Sequence, residues 1–120
     1  MIVVANALVV LVVLLHVSFL VLEMFFWTQP LGLAVFGLTL ERAQVSAVLA
    51  ANQGLYNGFL AAGLIWGLLH PAPAFALQIK LFFLGCVIVA ALYGTYSVGR
   101  RVLYVQGLPA IAAAILLLIA

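Results

Sequence analysis

The chain has 120 residues, of which 70% are hydrophobic and 5% are charged. A soluble domain carries about a quarter charged residues, so this composition excludes a water-soluble globule and predicts that lipid surrounds most of the chain. The formal net charge of +2 is too small for a nucleic-acid interface. The single cysteine excludes an internal disulfide bond.

The first apolar stretch predicts a membrane-spanning helix over residues 3–27 that ends in an aromatic belt including Trp27. His16 and Glu23 share one face of this helix, with backbones ~10 Å apart. Because ionisable groups inside a bilayer are costly, both are candidate functional residues. The alternative is that Glu23 reaches the membrane interface and His16 binds a neighbouring backbone group.

Pro30 and Gly32 predict a break after the first helix. Residues 31–40 are apolar but too short to span, which predicts an interfacial or re-entrant segment. The second helix is predicted over residues 42–69, and its polar cluster at mid-depth consists of Asn52, Gln53, Tyr56 and Asn57. Such a cluster predicts a ligand-binding surface, or alternatively amide contacts that hold helices together.

The third and fourth helices are predicted over residues 77–98 and 102–120. Pro109 lies inside the fourth helix and predicts a kink there. Tyr93 and Tyr96 lie near the end of the third helix, where an aromatic belt is the alternative to a binding role.

The distribution of basic residues predicts the orientation of the chain. Arg42, Arg100 and Arg101 lie on one side and Lys80 on the other, which places loops one and three in the cytoplasm and both termini outside. Most polar residues lie toward the side of loops one and three. They predict a polar cavity opening on that face, lined by Glu23, Tyr93, Tyr96, Gln106, His16 and Asn52.

These elements predict an all-α fold, an integral membrane four-helix bundle that forms a single transmembrane domain over residues 1–120. A bundle of this size buries little surface alone, so we expect a homo-oligomer. No metal site is expected, because too few His, Cys and carboxylate side chains share one region, and no cofactor is expected. The expected partners are the lipid bilayer, a small lipophilic ligand and further copies of the chain.

Four sequence motifs resemble a family of short bacterial membrane proteins, the domain of unknown function one-three-zero-four. They are LEMFFWTQP at 22–30, FGL at 36–38, NQGLYNGFL at 52–60 and QGLPA at 106–110. The resemblance covers nearly the whole chain. It implies four helices in the bacterial inner membrane, and some members carry a loose epimerase label.

A remoter resemblance is to the MAPEG superfamily, membrane-associated proteins of eicosanoid and glutathione metabolism. Its similar features are Glu41-Arg42 opening the second helix, Ala51-Asn52-Gln53 within it, and Gln106 followed by Pro109-Ala110 in the fourth. The resemblance implies a homotrimer with a lipophilic site between subunits. It does not extend to the glutathione ligands, because Asn57 and apolar residues stand where those enzymes carry an Arg and a Glu.

The buried polar residues favour a membrane-embedded isomerase or epimerase that moves a proton on a lipophilic small molecule. Such chemistry needs an acid/base group whose pKa lies near the working pH. Glu23 is the candidate general base and His16 the second acid/base group. The candidate ligand-binding residues, which supply polar donors and an apolar wall, are Asn52, Gln53, Tyr56, Asn57, Tyr93, Tyr96, Gln106 and Trp27.

Two other function classes remain open on the sequence. A binding or transport module for a small lipophilic molecule would use the same cavity without chemistry, and vesicle uptake assays would detect it. A structural assembly partner would need no cavity at all. Tolerance of alanine at both Glu23 and Asn52 would favour that structural role.

Overall fold

Every regular element of the protein is a helix in the computed structural model, which describes all residues from Met1 to Ala120. Helix α1 spans Ile2–Phe25, α2 spans Pro30–Phe36, α3 spans Leu40–Leu69 and α4 spans Pro73–Ser97. Helix α5, Arg100–Ile119, contains a π-helical segment at Leu103–Gly107. The all-α prediction is confirmed.

The length and apolar composition of the helices indicate a multi-pass membrane protein. Helices α1, α4 and α5 are each long and apolar enough to cross a membrane. Helices α2 and α3 qualify together as a fourth span, but they meet at an angle of 89°. That geometry suits either a broken span or a re-entrant loop, so the interfacial or re-entrant segment at 31–40 stays a prediction.

Local capping explains where α2 begins and ends and where α3 begins. Pro30 occupies the first turn of α2, where its missing N–H costs no helical hydrogen bond. Gly37 ends α2 in the left-handed conformation, with φ of 64°, and its N–H donates to the carbonyl of Leu33. The backbone N–H of Arg42 donates to Thr39 Oγ1 at 3.2 Å, which caps α3.

Prolines also shape α4 and α5. The third predicted helix starts at residue 77, whereas α4 begins at Pro73, because a proline is tolerated in the first turn of a helix. In α5, the π-helical segment ends at Gly107, two residues before Pro109, the site of the predicted kink. The wider turn of a π-helix accommodates Pro109, because proline lacks an N–H and its ring crowds the preceding turn.

The chain divides into two compact units, and the first comprises Met1–Leu15 and Leu60–Ala120. Its core is aliphatic and consists of small and branched side chains from α1, α3, α4 and α5. The fully buried members include Ala5, Val9, Leu64, Leu84, Val87, Ala110 and Ala113. Gly63 and Gly67 lie against the Phe83 ring and the Lys80 stem, which is the close approach that small residues permit between membrane helices.

The second unit, His16–Phe59, comprises the C-terminal part of α1, α2 and most of α3. Gly54 and Gly58 of α3 lie against α1. A Cβ atom at Gly54 would stand 2.8 Å from Met24 Cγ and 3.2 Å from the Leu20 carbonyl oxygen. These two glycines therefore permit close packing of α1 against α3 within this unit. The prediction of a single transmembrane domain stays a prediction.

Candidate functional site

A buried hydrogen bond joins Glu23 of α1 to Asn57 of α3. Asn57 Nδ2 donates to Glu23 Oε1 over 2.5 Å. Glu23 keeps 9% of its surface exposed and Asn57 keeps 5%. The pair forms because Gly54, one turn before Asn57, lets α3 approach the α1 backbone around Glu23.

The two carboxyl oxygens of Glu23 have different surroundings. Oε1 accepts the hydrogen bond from Asn57 Nδ2. No buried side-chain oxygen or nitrogen in the protein lacks a partner. The second oxygen, Oε2, takes no part in the hydrogen bond with Asn57.

His16 is fully buried, and its ring meets Phe19 edge to face with centroids 5.6 Å apart. The hydrogen-bond partner that the structure gives the Glu23 carboxyl is Asn57. The catalytic pairing of His16 with Glu23 stays a prediction.

The polar cluster of α3 divides between two faces of the helix. The side chains of Asn52, Gln53 and Tyr56 are exposed. Asn52 Nδ2 donates to the Val48 carbonyl, one turn earlier in α3, at 2.8 Å. Asn57 alone points to Glu23. The structure therefore brings one of the four predicted ligand-binding residues of α3 to the buried carboxyl.

Trp27 lies beside a groove at the bend between α2 and α3. Trp27 Nε1 donates to Ser46 Oγ at 3.1 Å, and Ser46 Oγ in turn donates to the Arg42 carbonyl at 2.7 Å. The centroid of the Trp27 ring lies 4.8 Å from that of the Phe36 ring. The groove has a volume of about 560 Å³. Its lining residues, of which sequence reasoning identified none as a site residue, are Thr39, Glu41, Arg42, Val45 and Ser46.

Tyr93, Tyr96 and Gln106 belong to the unit that does not contain Glu23. The two tyrosine side chains are 69% and 87% exposed, with ring centroids 6.2 Å apart. Gln106 is half-buried in the π-helical segment of α5, a kind of turn that is frequent at functional sites. A cavity shared by these residues and Glu23 stays a prediction.

Sequence reasoning missed a second buried polar pair. Lys80 of α4 is 5% exposed, and its Nζ donates to Asn6 Oδ1 of α1 at 2.8 Å. Two signals could have identified it, since Asn6 is isolated among apolar residues of α1 and Lys80 interrupts an apolar run of α4. Polar side chains isolated in this way in membrane helices need a partner.

Comparisons with known proteins identify a family but no activity. The sequence model of a family described as "Protein of unknown function (DUF1304)" matches residues 10–118. The chain is 33% identical over 96 residues to "Uncharacterized protein YpaA" of Lactococcus lactis subsp. lactis (strain IL1403). The aligned region covers 78% of this chain and 79% of that protein. No solved structure matches. The expected likeness to a family of unknown function is confirmed, whereas the MAPEG likeness and the epimerase label gain no support.

Proposed function

The chain belongs to the family described as "Protein of unknown function (DUF1304)", and we propose that it is a membrane-embedded enzyme of the isomerase or epimerase type. Its substrate is a lipophilic small molecule with a carbon-bound acidic proton. The observation that carries the proposal is the buried Glu23–Asn57 pair. A carboxyl group within a membrane segment is costly and marks a functional site by default.

Glu23 is the general base in this proposal. Its Oε2 takes a proton from a carbon next to a carbonyl group, and the C–H electron pair moves into an enolate. For isomerisation, Glu23 returns the proton to another carbon on the same face, which restores the carboxylate. For epimerisation, His16 donates a proton from the other face, and proton exchange with solvent then deprotonates Glu23 and reprotonates His16. Asn57 is a positioning residue, because its bond to Oε1 fixes the direction of the reactive oxygen.

The remaining predicted residues have supporting roles in the proposal. His16 is the second acid/base group, and Trp27 contributes to the apolar wall. The side chains of Asn52 and Gln53 are exposed on the surface of the protein. They therefore contact a substrate only if it binds between two copies of the protein. Their neutral amide donors then stabilise the negative charge of the enolate.

Incorporation of deuterium from D₂O tests the proposal without knowledge of the natural substrate. The purified protein in detergent is incubated with lipophilic ketones and with lipids extracted from its own membranes, and mass spectrometry measures deuterium on carbon. We expect Glu23→Gln, which keeps the shape and removes the base, to lower incorporation about 100-fold or more. Glu41→Gln is the matched control, since Glu41 is the other acidic residue and is exposed.

Two results would contradict the proposal. One is the absence of wild-type incorporation from any compound. The other is full incorporation in a folded Glu23→Gln variant, which would return Glu23 to the role of an interfacial anchor.

Self-association completes the proposal, with a homotrimer as the expected assembly. Gln53 lies exposed within α3, and an exposed amide in lipid gains a hydrogen-bond partner when a second copy packs against it. We expect Gln53→Leu to lower the oligomer fraction measured by native mass spectrometry. Gln78→Leu, which replaces an exposed glutamine near the start of α4, is the control. A wild-type protein that is monomeric in both detergent and native membranes would exclude the assembly.

The groove beside Trp27, with a volume of about 560 Å³, favours one alternative, a binding or transport module. Pockets of this size suit small molecules. Uptake of lipophilic compounds into reconstituted vesicles, together with unchanged deuterium content of the transported compound, would support that alternative over catalysis.

A further inference from the structure

The Lys80–Asn6 pair places a positive charge in the unit that comprises Met1–Leu15 and Leu60–Ala120. The partner of Lys80 Nζ is a neutral amide, and no carboxylate forms an ion pair with this lysine. Of the two acidic residues, Glu23 bonds to Asn57 and Glu41 lines the groove at the start of α3. A buried cation in a membrane protein is costly unless an anion accompanies it.

The structure provides a defined place for the Lys80 side chain. A Cβ atom at Gly67 would stand 2.6 Å from Lys80 Cγ and 3.1 Å from its backbone nitrogen. The absence of a side chain at residue 67 therefore leaves room for the lysine stem between α3 and α4. The direction of the stem is set by packing as well as by Asn6.

Lys80 also lines a cleft of about 350 Å³. The other side chains of the cleft wall are apolar and belong to Ile2, Pro73, Ala76, Leu77, Leu117 and Ala120. The volume lies within the range of ligand sites, about 300–1,000 Å³. One cation within an apolar wall suits a molecule that has an anionic head and an apolar body.

We infer that this cleft binds an amphiphile whose anionic head, a carboxylate or a phosphate, pairs with Lys80 Nζ while its apolar chain lies along the aliphatic wall. The head supplies the missing counter-charge, and Lys80 retains two further donors beside the one used by Asn6. The apolar wall disfavours hydrated inorganic anions. The site is independent of the chemistry proposed for Glu23.

Native mass spectrometry of the protein in neutral detergent tests the inference with three probes. They are palmitate, phosphatidylglycerol, and phosphatidylcholine with the same acyl chains. We expect the wild type to bind one anionic probe about tenfold or more tighter than phosphatidylcholine, because a desolvated charge pair is worth at least that much. Preference for palmitate identifies a free amphiphile, and preference for phosphatidylglycerol identifies a lipid headgroup.

Variants locate the site. Lys80→Gln keeps an amide donor for Asn6 and removes the charge, so the preference for anionic probes should fall about tenfold or more. Arg101→Gln removes an exposed cation and should leave the preference unchanged. Ala76→Leu fills the cleft but keeps Lys80, so it should weaken binding even if Lys80→Gln folds poorly. Absence of an anionic preference in the wild type, or its retention in folded Lys80→Gln, overturns the inference.

Discussion

Replacing Asn57 by leucine is expected to lower the free energy of unfolding by about 1–3 kcal/mol, the cost of a buried polar group left without its hydrogen bond. Asn57 Nδ2 donates a hydrogen bond to Glu23 Oε1, and both residues are buried. The leucine side chain leaves Glu23 Oε1 without a donor. Unfolding by sodium dodecyl sulfate in mixed micelles, followed by circular dichroism, measures the loss.

A double-mutant cycle separates the hydrogen bond from other effects of the substitution. In the Glu23→Leu background the carboxyl is absent, so Asn57→Leu should cost clearly less than in the wild type. Asn52→Leu is the matched control, because Asn52 is exposed and bonds only to its own helix. Equal losses for Asn57→Leu in both backgrounds would mean that the Glu23–Asn57 bond does not stabilise the fold.

Gly54→Ala is the second substitution with a large expected effect on stability. The added Cβ would stand 2.8 Å from Met24 Cγ, 3.1 Å from Glu23 Cβ and 3.2 Å from the Leu20 carbonyl oxygen. The methionine side chain can move, but the Leu20 carbonyl belongs to the α1 backbone and resists displacement. Overpacking of this kind costs about 1–3 kcal/mol, against a gain of about 1 kcal/mol from the better helix propensity of alanine.

Gly85→Ala provides the comparison, because no atom lies within 4 Å of a Cβ built at that position in α4. Its expected effect is a gain of up to about 1 kcal/mol from propensity alone. The difference between the two variants in the same unfolding assay measures the contact between α1 and α3. A Gly54→Ala protein as stable as Gly85→Ala would show that this contact is loose.

Sequence periodicity could have separated Asn57 from its polar neighbours in α3. Ala50, Gly54 and Asn57 recur at helical spacing, and all three are buried. Small residues mark the face of a membrane helix that meets another helix. Asn57 therefore lay on the packed face, whereas Asn52 and Gln53 lay beside it. The predicted cluster placed two adjacent polar stripes, Asn52 with Tyr56 and Gln53 with Asn57, at one depth of the helix. Burial in the structure separates Asn57 from the other three residues.

The sequence by itself determined the all-helical fold and the indication of a multi-pass membrane protein, because apolar runs of helical length follow directly from composition and from the thickness of a bilayer. It also identified Glu23 as an exceptional residue, since a lone carboxylate in an apolar helix is visible without coordinates. Only the tertiary structure decided that Glu23 bonds to Asn57 and that Lys80 bonds to Asn6. Residues far apart in sequence meet according to helix rotation and interhelical distance, which small residues at the contacts control. Neither quantity can be read from hydropathy.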